Sequence, residues 1–173
     1  MIKVVLIYGQ LLISIFVFGQ TEVVDLSNFN ANKLNHLIIE YTNQLRSKKR
    51  RPPLAHHALL DNAAQNHADY MADRKRLSHT QRNRNLKTVK DRVEALGGNA
   101  DFIGENIQFI SINYEIEQSN YQLTYIQLAK ILGDNWKASK GHYLNMIDRE
   151  YSRVSHQFAF ANGLLFVCQV FSS

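Results

Sequence analysis

One stretch of the sequence decides the fold: Trp136-Lys-Ala-Ser139-Lys-Gly141-His142-Tyr143-Leu-Asn145-Met-Ile147. It combines a large aromatic residue, Trp136, with the dipeptide Gly141-His142 and an alternation of polar and apolar residues. This combination is not typical of an ordinary surface helix. Apolar residues precede it at helical spacing, namely Tyr121, Tyr125, Leu128, Ala129 and Leu132. This spacing predicts an amphipathic helix that ends at Trp136, so the stretch is held at a helix end and has the character of a site.

Two other short runs each offer a group that can bind a cation or move a proton, namely Leu77-Ser78-His79 and Gly104-Glu105-Asn106. A further pattern is Asn43-x-x-Arg46 followed by Pro53-Leu54. Together with the opening stretch, these runs resemble the CAP superfamily of cysteine-rich secretory proteins, antigen 5 and pathogenesis-related proteins 1, and most closely its bacterial SCP-like branch. The resemblance covers Leu34 to Phe171. It implies an α+β fold, a three-layer α-β-α sandwich with a small antiparallel sheet between helices.

The first residues have the pattern of a secretory signal peptide. Lys3 is followed by an apolar run from Val4 to Phe18, and Gly19 supplies a small residue at the cleavage step. We therefore predict cleavage after Gly19 and a secreted or periplasmic protein. An uncleaved anchor is the alternative, although the run is shorter than the roughly 20 apolar residues that span a bilayer. No stable membrane span is expected after cleavage, and no cysteine near the cut offers a lipid attachment point.

The predicted domains are the signal peptide (1–19), a lead-in segment (20–32) and one SCP-like domain (33–173). The chain has 173 residues and an apolar fraction of 45%, which is enough for one core. Its only cysteine is Cys168, so no intrachain disulfide can form. Its place in an alternating apolar run predicts a buried structural thiol.

The charge is distributed unevenly. Residues 46–92 hold 13 Lys and Arg against 4 Asp and Glu, whereas the whole chain carries a formal charge of +5. Such asymmetry indicates either a surface for a polyanion or a solvated helix face and loop. No nucleic-acid motif accompanies the charges, so no nucleic-acid partner is expected.

Periodicity predicts the remaining elements. Helices are expected at Lys33–Ser47, His57–Lys75 and Leu86–Leu96, and a strand at Ile107–Ile112. Residues 113–120 are acidic and polar and are assigned to a connection. Asn162-Gly163 between two alternating runs predicts a closing β-hairpin. His67 is expected to be a packing residue, and nothing in the sequence connects His156 to the site.

The resemblance places His79, Glu105 and His142 in one cleft. Two imidazoles and a carboxylate are suitable ligands for zinc or another divalent cation. Many eukaryotic relatives carry a second acid where this chain has Ser139, so general acid-base schemes that need two carboxylates are weakened. Asn106 and Asn145 are expected to hold the site loops, and Trp136 and Tyr143 to cover the site. No residue is assigned as catalytic with assurance, and Glu105 is the candidate base.

Three interpretations follow from these residues. The first is an exported binding module whose cleft holds a divalent metal or an extracellular ligand, such as a lipid or polyanion. The second is a zinc-assisted extracellular hydrolase of peptide or ester bonds, with Glu105 as the base. The third is a purely structural role, in which the histidines and Glu105 hydrogen-bond across a cleft. Family resemblance alone does not decide among them.

Overall fold

The computed structural model describes residues 22–99 and 101–173, and the predicted signal peptide lies outside them. The elements in chain order are α1 (Ala31–Lys48), β1 (Ala55–His56), α2 (Ala58–Arg74), α3 (Val89–Glu94), β2 (Ile103–Ser111), α4 (Ile112–Gln118), α5 (Tyr125–Ala138), α6 (Lys140–Met146), β3 (Arg153–Ala161) and β4 (Leu164–Ser172). The predicted α+β class is confirmed, and α1, α2 and α5 lie where the apolar periodicity places them.

The four strands form one sheet in the order β1-β3-β4-β2. The hairpin of β3 and β4 turns at Asn162 and Gly163, whose φ angles of 53° and 74° are the positive values that a tight hairpin turn requires. The predicted hairpin is therefore confirmed. β2 pairs with β4 antiparallel and is the last strand of the sheet among the residues that the structure describes, so it is an edge strand.

The sheet separates two apolar clusters, as the period of two along a strand requires. On one face, Val154, Phe158 and Val167 pack with α1 and α5. On the other face, Phe166, Cys168 and Val170 pack with α2. Helices thus cover both faces of the sheet, which gives the three layers that the resemblance implies. Cys168 is fully buried, as its alternating apolar run predicts.

The end of α1 is tied to the segment that follows it. Asn43 donates to the Leu54 carbonyl at 3.0 Å and accepts from the Leu54 amide at 2.8 Å. The guanidinium of Arg46 is fully buried and donates to backbone carbonyls only, those of Pro52, Met146, Asp148 and Tyr151. Arg46 therefore joins α1 to the segment after α6, and the structural interpretation of the Asn-x-x-Arg pattern is confirmed.

Two sequence predictions of local structure were wrong. Residues 113–120 are not an irregular connection, because α4 occupies most of them. Ile112 is buried and Ile116 packs against the core one turn later, which gives this polar segment a narrow apolar stripe. The helix predicted from residue 86 begins later, at α3, because Thr88 and Asp91 form a capping box there.

Candidate functional site

The site is built around the edge strand β2, where Glu105 and Asn106 are neighbours in sequence. Side chains of successive strand residues point to opposite faces of a sheet. Glu105 accordingly faces the α2 layer, whereas Asn106 faces the layer that contains α6. Both side chains are buried. One dipeptide therefore contacts partners on both sides of the sheet.

Both carboxylate oxygens of Glu105 are occupied. Arg92, on α3, donates a short hydrogen bond through its Nη2 to Oε2. His79 Nδ1 lies 2.9 Å from Oε1. Arg92 is almost completely buried, with a side-chain exposure of 1%, so the two charges form a buried ion pair. Burial raises the pKa of Glu105, whereas the hydrogen bond from His79 and the positive charge of Arg92 lower it. The lowering effects are larger together, so the pKa of Glu105 lies below its ordinary value.

His67 and Cys168 complete the surroundings of this carboxylate. His67 Nε2 lies 3.7 Å from Glu105 Oε1, and the thiol of Cys168 lies 3.4 Å from Oε2. His67 is fully buried; its Nε2 donates to the carbonyl of Ser78 at 2.7 Å, and its Nδ1 accepts from Gln81 at 3.1 Å. Burial lowers the pKa of His67 and so favours the neutral imidazole that this pairing needs. His67 is thus a hydrogen-bonded packing residue, as predicted, and it also holds the loop that carries His79.

His79 presents the other edge of its ring to solvent. Its side chain is 58% exposed, and its Nε2 makes no hydrogen bond within residues 22–99 and 101–173. The hydrogen bond to Glu105 raises the pKa of His79 against the opposing effect of burial. A carboxylate that binds Nδ1–H fixes the imidazole tautomer and leaves Nε2 as the available lone pair. His79 is therefore oriented as an outward-facing ligand.

His142 is held from the opposite face of the sheet. Asn106 Nδ2 donates to the backbone carbonyl of His142 at 3.1 Å. Asn145, one turn further along α6, donates to Asn106 Oδ1 at 2.8 Å and to the carbonyl of Glu105 at 3.3 Å. These bonds fix α6 beside the open edge of β2 and satisfy polar groups that an edge strand leaves unpaired.

The imidazole of His142 is half-buried and lies within electrostatic reach of His79. Burial lowers its pKa, and the charge of protonated His79 lowers it further. The neutral form of His142 is thus favoured at neutral pH. The structure brings His79 into direct contact with Glu105, and it anchors the backbone of His142 to Asn106, the next residue along β2. In the described part of the chain, however, no three His, Cys, Asp or Glu side chains are grouped as a metal ion would require.

The sequence did not predict a buried polar relay, a chain of hydrogen bonds that joins Asn35, His156, Gln169 and Asn106. His156 Nδ1 donates to Asn35 Oδ1 at 2.8 Å, and its Nε2 accepts from Gln169 at 2.7 Å. Gln169 Oε1 in turn accepts from Asn106 at 2.8 Å. The prediction that nothing ties His156 to the site was therefore wrong. The available signal was a His and a Gln on inward-facing positions of two strands that the hairpin register places opposite each other.

Trp136 does not cover the cleft, contrary to prediction. It is fully buried in the core, where its ring centroid lies 5.8 Å from that of His156. Tyr143 and Ser139 are partly exposed at α6. The amide of Tyr143 donates to the carbonyl of Ser139 at 2.9 Å, but the Ser139 side chain makes no capping hydrogen bond. Trp136 thus packs in the core against His156 and does not cover the site residues.

This donor set has fewer protein ligands than a catalytic zinc site. His79 Nε2 and the His142 imidazole are two nitrogen donors, whereas catalytic zinc sites usually have three protein ligands. Glu105 is engaged by Arg92 and by His79, so it is placed to orient a ligand rather than to act as a ligand. A cation held by the two histidines would supply Lewis acidity and open positions for an outside ligand.

The three-layer architecture is that of a CAP-type domain. A profile of the Cysteine-rich secretory protein family matches residues 39–171. The chain therefore belongs to this family, which is also called CAP. No curated protein matches the sequence.

Solved structures have the same fold. An extracellular protein containing a SCP domain from Bacillus anthracis is 22% identical with a TM-score of 0.63, over 82% of this chain and 41% of that protein. An outer surface protein of Borrelia burgdorferi is 12% identical with a TM-score of 0.67, over 84% of this chain and 96% of that one. NaASP2, solved with Zn²⁺, is 14% identical with a TM-score of 0.52, over 79% and 77% of the two chains. This chain thus spans less than half the length of the Bacillus protein.

Proposed function

We propose that this protein is a binding module that acts outside the cytoplasm and captures its ligand in the cleft between the His79 loop and α6. The observation that carries the proposal is the state of Glu105. Arg92 and His79 occupy its two oxygens, and its pKa lies below the ordinary value. A carboxylate held in this way orients an imidazole, and it is poorly suited to accept a proton from water.

The two histidines are the contact groups of the proposed cleft. His79 offers its Nε2 to solvent, and His142 lies near it on α6 with a lowered pKa. Neutral imidazoles accept hydrogen bonds and bind divalent transition metals. Zinc or a similar cation, bound by both rings, leaves open positions for an extracellular ligand. Metal affinity in such a site falls as the histidines protonate.

Zinc-assisted hydrolysis is the weaker candidate because it needs Glu105 as a free base and a third protein ligand. The same geometry that favours binding removes Glu105 from that role. Ser139 offers no replacement, because no base is positioned against its hydroxyl within the described hydrogen bonds. We therefore do not assign catalysis to this cleft.

Action outside the cytoplasm rests on two supports. The leader sequence has the pattern of a cleaved signal peptide. Two proteins of the same fold are named as an extracellular protein and an outer surface protein. Within residues 22–99 and 101–173, no helix is both long and apolar enough to span a membrane. N-terminal sequencing of the exported protein tests the predicted cleavage after Gly19, and a retained leader would contradict it.

Zinc titration by calorimetry near neutral pH tests the cleft. We expect saturable binding by the unmodified protein and its loss in a His79→Ala, His142→Ala double variant. A His36→Ala, His57→Ala variant is the matched control, because it also removes two histidines but leaves His79 and His142 unchanged. Equal binding by both variants would refute the proposed pair of ligands. Turnover of peptide or ester substrates that requires His142 in a folded protein would refute the binding-only assignment.

A further inference from the structure

A basic depression lies between the end of α2 and the loop that follows it, which also carries His79. It has a volume of about 210 Å³ and is lined by Tyr70, Arg74, Arg76, Ser78, Thr80, Gln81 and Arg82. No acidic residue is among the lining residues. Three of the basic residues that make residues 46–92 so positive therefore converge on one concave surface, which the proposed histidine cleft does not use.

The three guanidinium groups are not paired with a carboxylate in the part of the chain that the structure describes. Arg74, Arg76 and Arg82 are exposed, and none of them forms an ion pair or a side-chain hydrogen bond with any residue in 22–99 or 101–173. Exposed like charges repel one another weakly in water, and a bound anion would relieve that repulsion. Arg74 lies in the last turn of α2, where a positive charge complements the helix dipole. That effect does not account for Arg76 and Arg82, which lie beyond the helix.

Backbone geometry at the end of α2 brings the arginines together. Lys75 adopts a left-handed conformation with φ of 50°, which ends the helix and redirects the chain. The amides of Lys75 and Arg76 then donate to the carbonyls of Ala72 and Met71. The chain reverses at this point, so that Arg74 and Arg76 line the same depression.

The loop on the other side of the depression is anchored to α2 by a buried side chain. Gln81 is 8% exposed, and its Nε2 donates to Asn66 Oδ1 at 2.8 Å and to His67 Nδ1 at 3.1 Å. Ser78 Oγ donates to the Thr80 carbonyl at 2.8 Å and accepts from the Thr80 amide at 3.1 Å. The wall of the depression is thus held in place before any ligand arrives, which lowers the entropic cost of binding.

We propose that this depression, the tri-arginine pocket, binds a phosphoryl anion. Arginine offers a planar fork of donors that matches phosphate oxygens and pairs with them in a bidentate manner. The Ser78 and Thr80 hydroxyls and the Tyr70 phenol supply neutral polar groups beside the three charges. The phosphoryl group can belong to a free phosphate ester or to the head group of an anionic lipid, and both present the same oxygens. The inference does not depend on the histidine cleft.

The first test is an NMR titration of the full chain with inorganic phosphate and pyrophosphate at low ionic strength. We expect the amide signals of Ser78, Thr80 and Gln81 to shift with saturation. A triple substitution Arg74→Gln, Arg76→Gln, Arg82→Gln is expected to weaken pyrophosphate binding at least about tenfold, because charge-assisted hydrogen bonds to phosphate are lost. Shifts that do not saturate, or that arise elsewhere on the protein, overturn the proposal.

A matched control variant distinguishes binding in the tri-arginine pocket from a general effect of the protein's net charge. Lys48, Lys49 and Lys137 are exposed and do not line the pocket, so their substitution by Gln removes the same three charges. We expect this variant to bind pyrophosphate within about twofold of the unmodified protein, since screened charges outside the pocket contribute little. Equal weakening by the two triple variants overturns the proposal in favour of a diffuse electrostatic effect.

A flotation assay with phosphatidylcholine vesicles, with and without phosphatidic acid, distinguishes the two sources of the phosphoryl group. Arginine-dependent binding to the anionic vesicles assigns a lipid head group, whereas arginine-dependent binding to pyrophosphate alone assigns a soluble ester. Failure of both overturns the proposal. Zinc binding should be the same in the triple-arginine variant, so failure of this inference is distinguishable from failure of the histidine cleft.

Discussion

The buried pair of Glu105 and Arg92 provides the sharpest test of the site, because it predicts strong non-additivity between two substitutions. Glu105 has a side-chain exposure of 3% and Arg92 of 1%, so water cannot solvate either charge if its partner is removed. Breaking one side of a buried pair costs roughly 3–5 kcal/mol of folding stability. Replacing both sides with neutral groups costs much less, since no buried charge is left uncompensated.

Glu105→Gln keeps the shape of the side chain and removes its charge. We expect it to lower the free energy of unfolding by about 3 kcal/mol or more, because Arg92 then lies buried without a counter-charge. Arg92→Met should lower the free energy of unfolding by a similar amount, because it leaves the buried Glu105 carboxylate without its counter-charge. It also removes the long hydrogen bonds, of 3.3 and 3.4 Å, to the carbonyls of Leu86 and Lys87. The double variant should be less destabilised than the sum of the two by at least about 2 kcal/mol.

Urea denaturation of the four proteins, followed by circular dichroism at pH 7, measures this coupling. A surface pair of Lys130 and Asp134 is the matched control, because both side chains are largely exposed and the pair is a helical i,i+4 contact. Its coupling should be no more than about 0.5 kcal/mol. Additive effects at Glu105 and Arg92 would refute the reasoning, because they would show that the two charges do not stabilise each other in the folded protein.

Three further predictions follow from other parts of the structure. The pKa of His79 is raised and that of Glu105 lowered, so the stability that their contact contributes is lost as pH rises through the His79 pKa or falls through the Glu105 pKa. The difference in unfolding free energy between the unmodified protein and His79→Gln should therefore be largest between pH 4.5 and pH 6.5, the ordinary pKa values of glutamate and histidine. A difference that grows above pH 8 would contradict this. Arg46→Met should lower the unfolding free energy by more than about 3 kcal/mol, since it leaves four carbonyls without their donor; a midpoint in urea close to that of the unmodified protein would contradict it. Gly133→Ala should also destabilise, because the added Cβ would lie 2.5 Å from the Tyr41 ring, and an unchanged melting temperature would show that the ring moves aside at no cost.

The three long helices and the hairpin could be predicted because each depends on local signals. The period of apolar residues identifies α1, α2 and α5, and Asn162-Gly163 identifies the turn between β3 and β4. The short helix α4 was missed because its single apolar stripe consists of Ile112 and Ile116, too few residues to register as a period. Packing against the core, which no local signal reports, stabilises it.

The candidate site could be predicted only in part, for a physical reason. The family resemblance predicted that His79, Glu105 and His142 lie together. It did not predict that Arg92 pairs with the Glu105 carboxylate. Arg92 is one of many basic residues in a basic segment, so nothing in the sequence distinguishes it from the others. The polar relay was predictable only at its centre, because the Asn162-Gly163 turn sets the hairpin register that places His156 opposite Gln169. Its outer members, Asn35 on α1 and Asn106 on β2, join it only through the packing of the whole domain.

The geometry of β2 explains how two segments far apart in sequence, the loop with His79 and the helix α6 with His142, are anchored at two adjacent residues. Residues 105 and 106 are adjacent, so their side chains project to opposite faces of the sheet. Glu105 holds the ring of His79 on one face, and Asn106 holds the backbone of His142 on the other. Because β2 is an edge strand, no further strand separates the two anchored segments, and both can reach around its open side. Asn145 of α6 also donates to the backbone carbonyl of Glu105, so α6 satisfies one backbone acceptor of this edge strand. An insertion of one residue between Glu105 and Asn106 would turn both side chains to the same face and separate the histidines, whereas a substitution at either position would release only one of them.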